Sequence, residues 1–155
     1  DLSNKIHVLP NLRFIQGSAE SIPLADDSID VVLNVESCHA YGSVDKFLSE
    51  VKRVLKPGGY LLLVDFRDVK NMDLLRSQLR KTGLDFLQEE DIAPNVVRAM
   101  EAEDDVKKQR IKTLFPPKWQ ALFGEFAGIV GSRIHLNLKS KARLYHRFML
   151  RKPAG

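Results

Sequence analysis

Ile29-Asp30-Val31-Val32-Leu33-Asn34-Val35 and Tyr60-Leu61-Leu62-Leu63-Val64 are the two runs that decide the fold of this chain. The first is β-branched and nearly continuous in apolar character, as expected of a strand covered on both faces. The second reads as a buried strand. Between them, Val44, Phe47, Leu48, Val51 and Leu55 recur at helical spacing, so one stripe of a helix faces a core. Ser43 suits the N-cap, Asp45 the first turn, and Lys52, Arg53 and Lys56 the last. Pro57-Gly58-Gly59 is expected to stop the helix and turn the chain. The unit is strand, helix, strand: half of a parallel α/β sheet.

Working outward, Leu12-Arg13-Phe14-Ile15-Gln16 reads as a short strand entered from a Pro10-Asn11 turn, and Ile22 to Ser28 as a turn-rich connection. In open parallel sheets ligands collect at the carboxyl ends of the strands. Here those ends fall at Ser18-Ala19-Glu20, at Asn34 to His39 and at Asp65 to Arg67, which makes one sheet edge the candidate site. Downstream, Asn71 to Thr82 reads as a helix closed by Gly83, and Leu84 to Leu87 as a strand. Val96 to Leu114 reads as a helix with the acidic run Glu101 to Asp105 on a solvated side. Trp119, Leu122, Phe123 and Phe126 form a second helical stripe. It is read as core, with a wall for an apolar substrate as the alternative. Arg143 to Arg151 alternates with period two, Leu144, His146, Phe148 and Leu150 pointing one way. That pattern predicts an antiparallel strand at or near the edge of the sheet.

The 155 residues suit one domain, able to bury roughly two-thirds of its unfolded surface. Composition is that of an ordinary soluble protein, with no apolar run near the ~20 residues needed to span a bilayer and no basic-then-apolar leader. Cys38 is the single cysteine, which excludes an internal disulfide and fits a reducing, cytoplasmic setting. The net charge of +4 is uneven: no acidic residue follows Glu125, whereas Arg133, Lys139, Lys141, Arg143, Arg147, Arg151 and Lys152 do. Such a basic stretch reads as a solvated strand edge that discourages aggregation, or as a device that steers an anionic substrate or carrier. It carries no nucleic-acid-binding motif.

The run Gly17-Ser18-Ala19-Glu20-Ser21-Ile22-Pro23-Leu24-Ala25-Asp26-Asp27-Ser28-Ile29-Asp30 resembles the G-D-A-E-x-L-P-F-x-D-x-S-F-D segment of class I S-adenosyl-L-methionine-dependent methyltransferases. Phe47-Leu48-Ser49-Glu50-Val51-Lys52-Arg53-Val54-Leu55-Lys56-Pro57-Gly58-Gly59 resembles the same family's F-L-x-E-x-x-R-V-L-K-P-G-G. Asn34-Val35-Glu36-Ser37-Cys38-His39, Asp91 to Val97 and Tyr145 to Lys152 are similar to O-methyltransferases of polyketide and complex-lipid pathways, phthiotriol-type enzymes among them. The resemblance implies an α/β, Rossmann-like sheet, mostly parallel with its last strand antiparallel. It also implies that residues 1–155 are the carboxyl-terminal two-thirds of one methyltransferase domain. No G-x-G-x-G occurs, so the loop that cradles the cofactor in the family is missing here, although Asp1-Leu2-Ser3 could imitate the strand end that holds the ribose. On that reading the 155 residues alone bind the cofactor poorly and are inactive.

By the same resemblance Ser18, Ala19 and Glu20 approach the adenine, with Ser18 standing where the family commonly has Asp. Asn34 contributes mainly its backbone carbonyl to the methionine amino group, with a strand-end cap as the alternative. Methyl transfer to a hydroxyl is an in-line displacement in which the oxygen loses a proton. An imidazole with an ordinary pKa near ~6.5 is matched to accept it, so His39 is the candidate base. Glu36, three residues earlier, is the candidate partner of the ring, and Glu50 the competing one. Asp65 either lines the substrate mouth or caps the next element. His146 reads as a core histidine, His7 and His135 as weaker candidates, and the spacing of histidine, cysteine and carboxylates suggests no structural metal. The function implied is methylation of a hydroxyl on a small apolar metabolite, a lipid or a carrier-bound polyketide. No nucleic acid and no transmembrane segment are implied, and a homo-oligomer is left open. The alternative is a degenerate, non-catalytic module of the same fold used for docking or oligomerisation.

Overall fold

The computed structural model describes residues 2–154. A single-turn helix α1 (Leu2–Ile6) opens it, so Leu2 and Ser3 form no strand end; Asp1 lies outside the described residues. The expected strand at 12–16 does not form. Its backbone is held by the Asn4 amide, which accepts from the Phe14 N–H at 2.8 Å and donates to the Phe14 carbonyl at 2.9 Å. Apolar residues of suitable type make a strand only beside another strand, and no described strand lies alongside.

Strand β1 (Ile29–Val35) is followed by a 3₁₀ turn at Cys38–Ala40 and helix α2 (Val44–Val54). Ser43 caps α2 as predicted, its hydroxyl accepting from the Lys46 N–H. β2 (Leu55–Asp68) starts directly at the end of α2. Pro57-Gly58-Gly59 therefore does not separate helix from strand; it forms a bulge inside β2, where the pairing jumps from Ile29–Leu55 to Val31–Tyr60. Gly58 takes φ +79°, and a Cβ on Gly59 would lie 2.9 Å from the carbonyl oxygens of Asp30 and Lys56. Then come α3 (Val69–Lys81), β3 (Asp85–Asp91), α4 (Ala93–Ala102), α5 (Asp104–Leu114), α6 (Pro117–Ala127), α7 (Arg133–Lys139) and β4 (Arg143–Arg151).

The sheet order is β1-β2-β4-β3. β1 and β2 are parallel, and β4 runs antiparallel to both β2 and β3, so the last strand alone is reversed. On one face Leu61, Leu63, Phe148 and Leu150 pack with Phe47, Leu48 and Val51 of α2 and with Met72, Leu75 and Leu79 of α3. On the other, Val64, Phe66 and Tyr145 meet Ala93, Val96 and Met100 of α4 and Ile134 and Leu138 of α7. That second layer covers only part of the sheet. Val31, Leu33 and Val35 of β1 stay 51%, 67% and 51% exposed, so β1 is not the doubly covered strand its composition predicts.

Two further expectations are corrected. The helix expected over 96–114 breaks at Glu103, and Asp104 turns inward to accept from the Val130 N–H at 2.7 Å and to pair with Lys108. The acidic run is thus not wholly solvated. Trp119, Leu122 and Phe126 of α6 are exposed rather than core, while Phe123 stacks on Phe115.

The connection before β1 is bolted to α2 by charge. Arg53 donates to the carbonyls of Ile22 and Leu24 and to Asp26 and Glu50, and Glu50 accepts from the Ile22 N–H at 2.8 Å. Glu50 is therefore structural and no partner of His39. Hydrogen bonds from Arg53, then from the Ile22 amide, pull its carboxyl down to about 2. A depressed carboxyl stabilises the fold fully above its unfolded value near ~4.3 and loses that contribution as pH falls towards about 2. Urea midpoints followed by circular dichroism should fall between pH 4.5 and 2 in the wild type. Glu50→Gln should start lower at neutral pH and lose less across the same window; equal slopes would remove Glu50 from the clamp.

Candidate active site

The end of β1, the turn that follows it and the end of β2 converge. Val35 closes β1 in register with Val64, and Glu36 then adopts φ +48°, its N–H still donating to the Val64 carbonyl at 2.8 Å. A left-handed glutamate at a strand end is uncommon and strained. It swings the chain into the 3₁₀ turn, which drops Cys38 fully into the core and leaves His39 at the surface of the sheet edge.

His39 meets Asp65, not Glu36. Its Nδ1 lies 2.6 Å from Asp65 Oδ1, with the imidazole 35% exposed and the carboxylate wholly buried. A buried carboxylate on Nδ1 fixes the tautomer with the proton there, which leaves the Nε2 lone pair free to accept. Asp65 is itself held from several directions. The Phe66 N–H donates to Oδ1, and the Cys38 thiol and the Arg67 guanidinium donate to Oδ2 at 2.9 and 3.0 Å. Burial first, then the neighbouring Asp65, pushes the Cys38 thiol up to about 12, so it serves as a hydrogen-bond donor and not as a nucleophile. Glu36 is bound elsewhere, accepting a hydrogen bond from the Tyr145 hydroxyl.

Asn34 is buried, and its amide donates to the Tyr41 hydroxyl at 2.9 Å, which donates on to Ser37 Oγ. Its Oδ1 is buried with no hydrogen-bond partner among the described residues. An orphaned buried acceptor is costly unless a ligand completes it. Ser18, Ala19 and Glu20 do not reach this cluster through any hydrogen bond. Ser18 and Ser21 form an isolated bridge, Ala19 packs on the core, and Glu20 accepts from the Ser43 N–H at 2.9 Å. Glu20 thereby ties the loop to the start of α2, where Gly42 leaves it room.

Beside this cluster lies an open cavity of about 1080 Å³ beneath α4, α6 and α7, walled by Val96, Met100, Phe126 and Leu138 and floored by Glu36, Phe66 and Tyr145. Phe66 is shared: its ring lines the cavity and lies 5.0 Å from the His39 ring, 5.9 Å from that of Tyr145, and under the Arg143 guanidinium. Sequence reasoning missed Phe66 and Tyr145 as cavity floor. Alternation does place Tyr145 on the face opposite His146, and that was the available signal. His146 is a core residue as read, buried with Nδ1 2.7 Å from Glu89. His135 is buried too, against Glu101 and the Gly131 amide.

Comparison with known proteins follows the same lines. Residues 2–63 match the family described as a methyltransferase domain. Over 151 residues the chain is 33% identical to the phthiotriol/phenolphthiotriol dimycocerosates methyltransferase of Mycobacterium tuberculosis, covering 97% of this chain and 56% of that one. Residues 2–63 thus carry the signature of a methyltransferase domain, and the likeness to methyltransferases runs nearly the whole length of the chain. It spans about half the length of the curated relatives it matches. Among solved structures, one from Galdieria sulphuraria assigned as a sarcosine dimethylglycine methyltransferase superposes with TM-score 0.79 at 18% identity, over 99% of this chain and 64% of that chain. The O-methyltransferase of a Brevibacillus brevis polyketide multienzyme, in complex with S-adenosyl-L-homocysteine, gives 0.62 at 18% identity, over 88% and 48%. These establish a Rossmann-like methyltransferase fold, whose α/β sheet with a reversed last strand is the one described above. Among the described residues no helix is long and apolar enough to cross a membrane.

Proposed function

We propose that residues 1–155 are the carboxyl-terminal part of a longer methyltransferase domain that uses S-adenosyl-L-methionine to methylate a hydroxyl of an apolar lipid or polyketide, with His39 as the base. The observation that carries this reading is the His39–Asp65 pair, which leaves an unencumbered ring nitrogen beside a largely apolar cavity. When bound, the cofactor supplies an electrophilic methyl group. Asn34 suits it: an amide oxygen buried without a donor matches an ammonium group. Ser18 and Ala19 would offer backbone amides, since the Glu20 N–H donates to Ser18 Oγ and one Glu20 carboxylate oxygen is engaged by Ser43.

The chain's own residues handle the proton and the acceptor. His39 Nε2 takes the hydroxyl proton, and Asp65 holds the ring and stabilises the imidazolium that forms. Glu36 and Tyr145, locked together, give the acceptor a polar edge, while the cavity walls take its apolar body. A cavity of this size and lining suits a substrate larger than a simple alcohol.

Calorimetric titration of S-adenosyl-L-methionine tests the reading on two proteins, this chain and the protein extended by its natural upstream residues. Micromolar binding is expected only for the longer protein. Binding by neither would leave a methyltransferase fold retained for docking.

A further inference from the structure

We propose that Arg67 is a positioning residue that sets the proton affinity of His39 through Asp65. The inference rests on His39 being the base of the proposed reaction. Arg67 lies at the end of β2 with its side chain only 10% exposed, and one terminal nitrogen donates both to Asp65 Oδ2 at 3.0 Å and to Cys38 Sγ at 3.1 Å. Its Nε is buried with no partner among the described residues. Asp65 is thus divided. Oδ2 is taken by a cation and a thiol, and Oδ1 is left to His39 and the Phe66 amide.

The division has a chemical consequence. A buried carboxylate alone beside an imidazole draws a proton onto the pair and turns the base into an imidazolium. A buried guanidinium on the far oxygen cancels much of that pull while leaving the hydrogen bond that orients the ring. The ring is then held by Asp65 while the far oxygen is occupied, which is the arrangement a positioned base requires.

Other titratable groups surround the pair. Glu36 ends β1 and is bound by Tyr145; Arg143 of β4 covers Phe66. His146 is the register partner of Asp65 and pairs with Glu89 of β3, and Asp68 caps α3. The side chains of α3 that share the core with Cys38 are Met72, Leu75 and Leu79, all apolar. None of these groups is itself substituted in the Arg67 variants, so the comparison of Arg67→Met with Arg67→Lys reports on the charge at that position.

The test is a proton NMR titration of the four histidines in the 155-residue chain without cofactor. Arg67→Met should move the His39 midpoint up by about one pH unit, a tenfold gain in proton affinity. Arg67→Lys, which keeps the charge, should restore most of it. An unchanged or lower midpoint in Arg67→Met overturns the proposal. Should Arg67→Met fail to fold, Cys38→Ala decides. Loss of the thiol donor should raise the midpoint by a smaller amount, and no rise overturns the proposal. In the longer protein the acid limb of the kcat–pH profile should move with the NMR midpoint in Arg67→Met and return in Arg67→Lys. A rate lowered equally at every pH would mean a merely structural arginine. The NMR arm needs no methylation, so failure of the functional reading leaves it intact.

Discussion

On the proposed reading, His39→Ala in the longer protein is expected to lower kcat by about 10²–10⁴, the usual worth of a positioned general base, while the affinity for S-adenosyl-L-methionine should stay within about twofold. The split follows from geometry. His39 bonds Asp65 and packs on Phe66, the aromatic shared with the cavity, and makes no described hydrogen bond to Asn34, Ser18, Ala19 or Glu20. Steady-state rates at saturating cofactor, with calorimetry on the same samples, check both halves. A loss smaller than threefold would mean that the acceptor is deprotonated without His39. It would turn attention to an acceptor that is already anionic.

The second large effect is on stability. Asp65→Ala is expected to cost about 3–5 kcal/mol, because one partner of a buried charged network is removed and the other is left unpaired. Arg67 would keep its charge with Cys38 as its remaining described acceptor, and the thiol, the Phe66 amide and His39 would each lose an acceptor. Asp65→Asn should cost less, since its amide oxygen can still accept, although its NH₂ then meets a donor. Urea denaturation of the 155-residue chain measures both. A cost under about 1 kcal/mol for Asp65→Ala would show that water replaces the carboxylate, and the network would lose its structural standing.

The sequence made the framework legible where two levels agreed. Period, capping residue and motif all placed α2 and its flanking strands, and the alternation over Arg143 to Arg151 announced a reversed strand. It misled where a residue's role depends on what lies beside it in space. Leu12 to Gln16 has the composition of a strand and lacks a neighbour, so Asn4 holds it instead. Val31, Leu33 and Val35 have the composition of a core and face outwards, because burial belongs to the covering layer and not to the strand. At the site His39 was legible from its place after a strand end. Its partner was not: Glu36 is near in sequence, but its left-handed backbone aims it at Tyr145, and Asp65 arrives from 26 residues away. Arg67 was legible only as part of the Asp65 to Arg67 strand end; nothing in the sequence marked it as turning inward, since a basic residue at a strand end ordinarily meets solvent.

The reversed strand also fixes a calendar for the nascent chain. β4 occupies the middle of the sheet and joins β2 to β3. At 5–20 residues per second, the chain between Asp68 and Arg143 takes on the order of 4–15 s to be made. Throughout that interval β2 has only β1 beside it, and β3 has no strand to pair with at all. The backbone edge of β2 at Asp65 and Arg67 therefore waits unpaired until Arg143 to Arg151 has been made. A ribosome stalled before Arg143 would hold a half-sheet with a sticky flank, a natural client for a chaperone that reads extended apolar backbone.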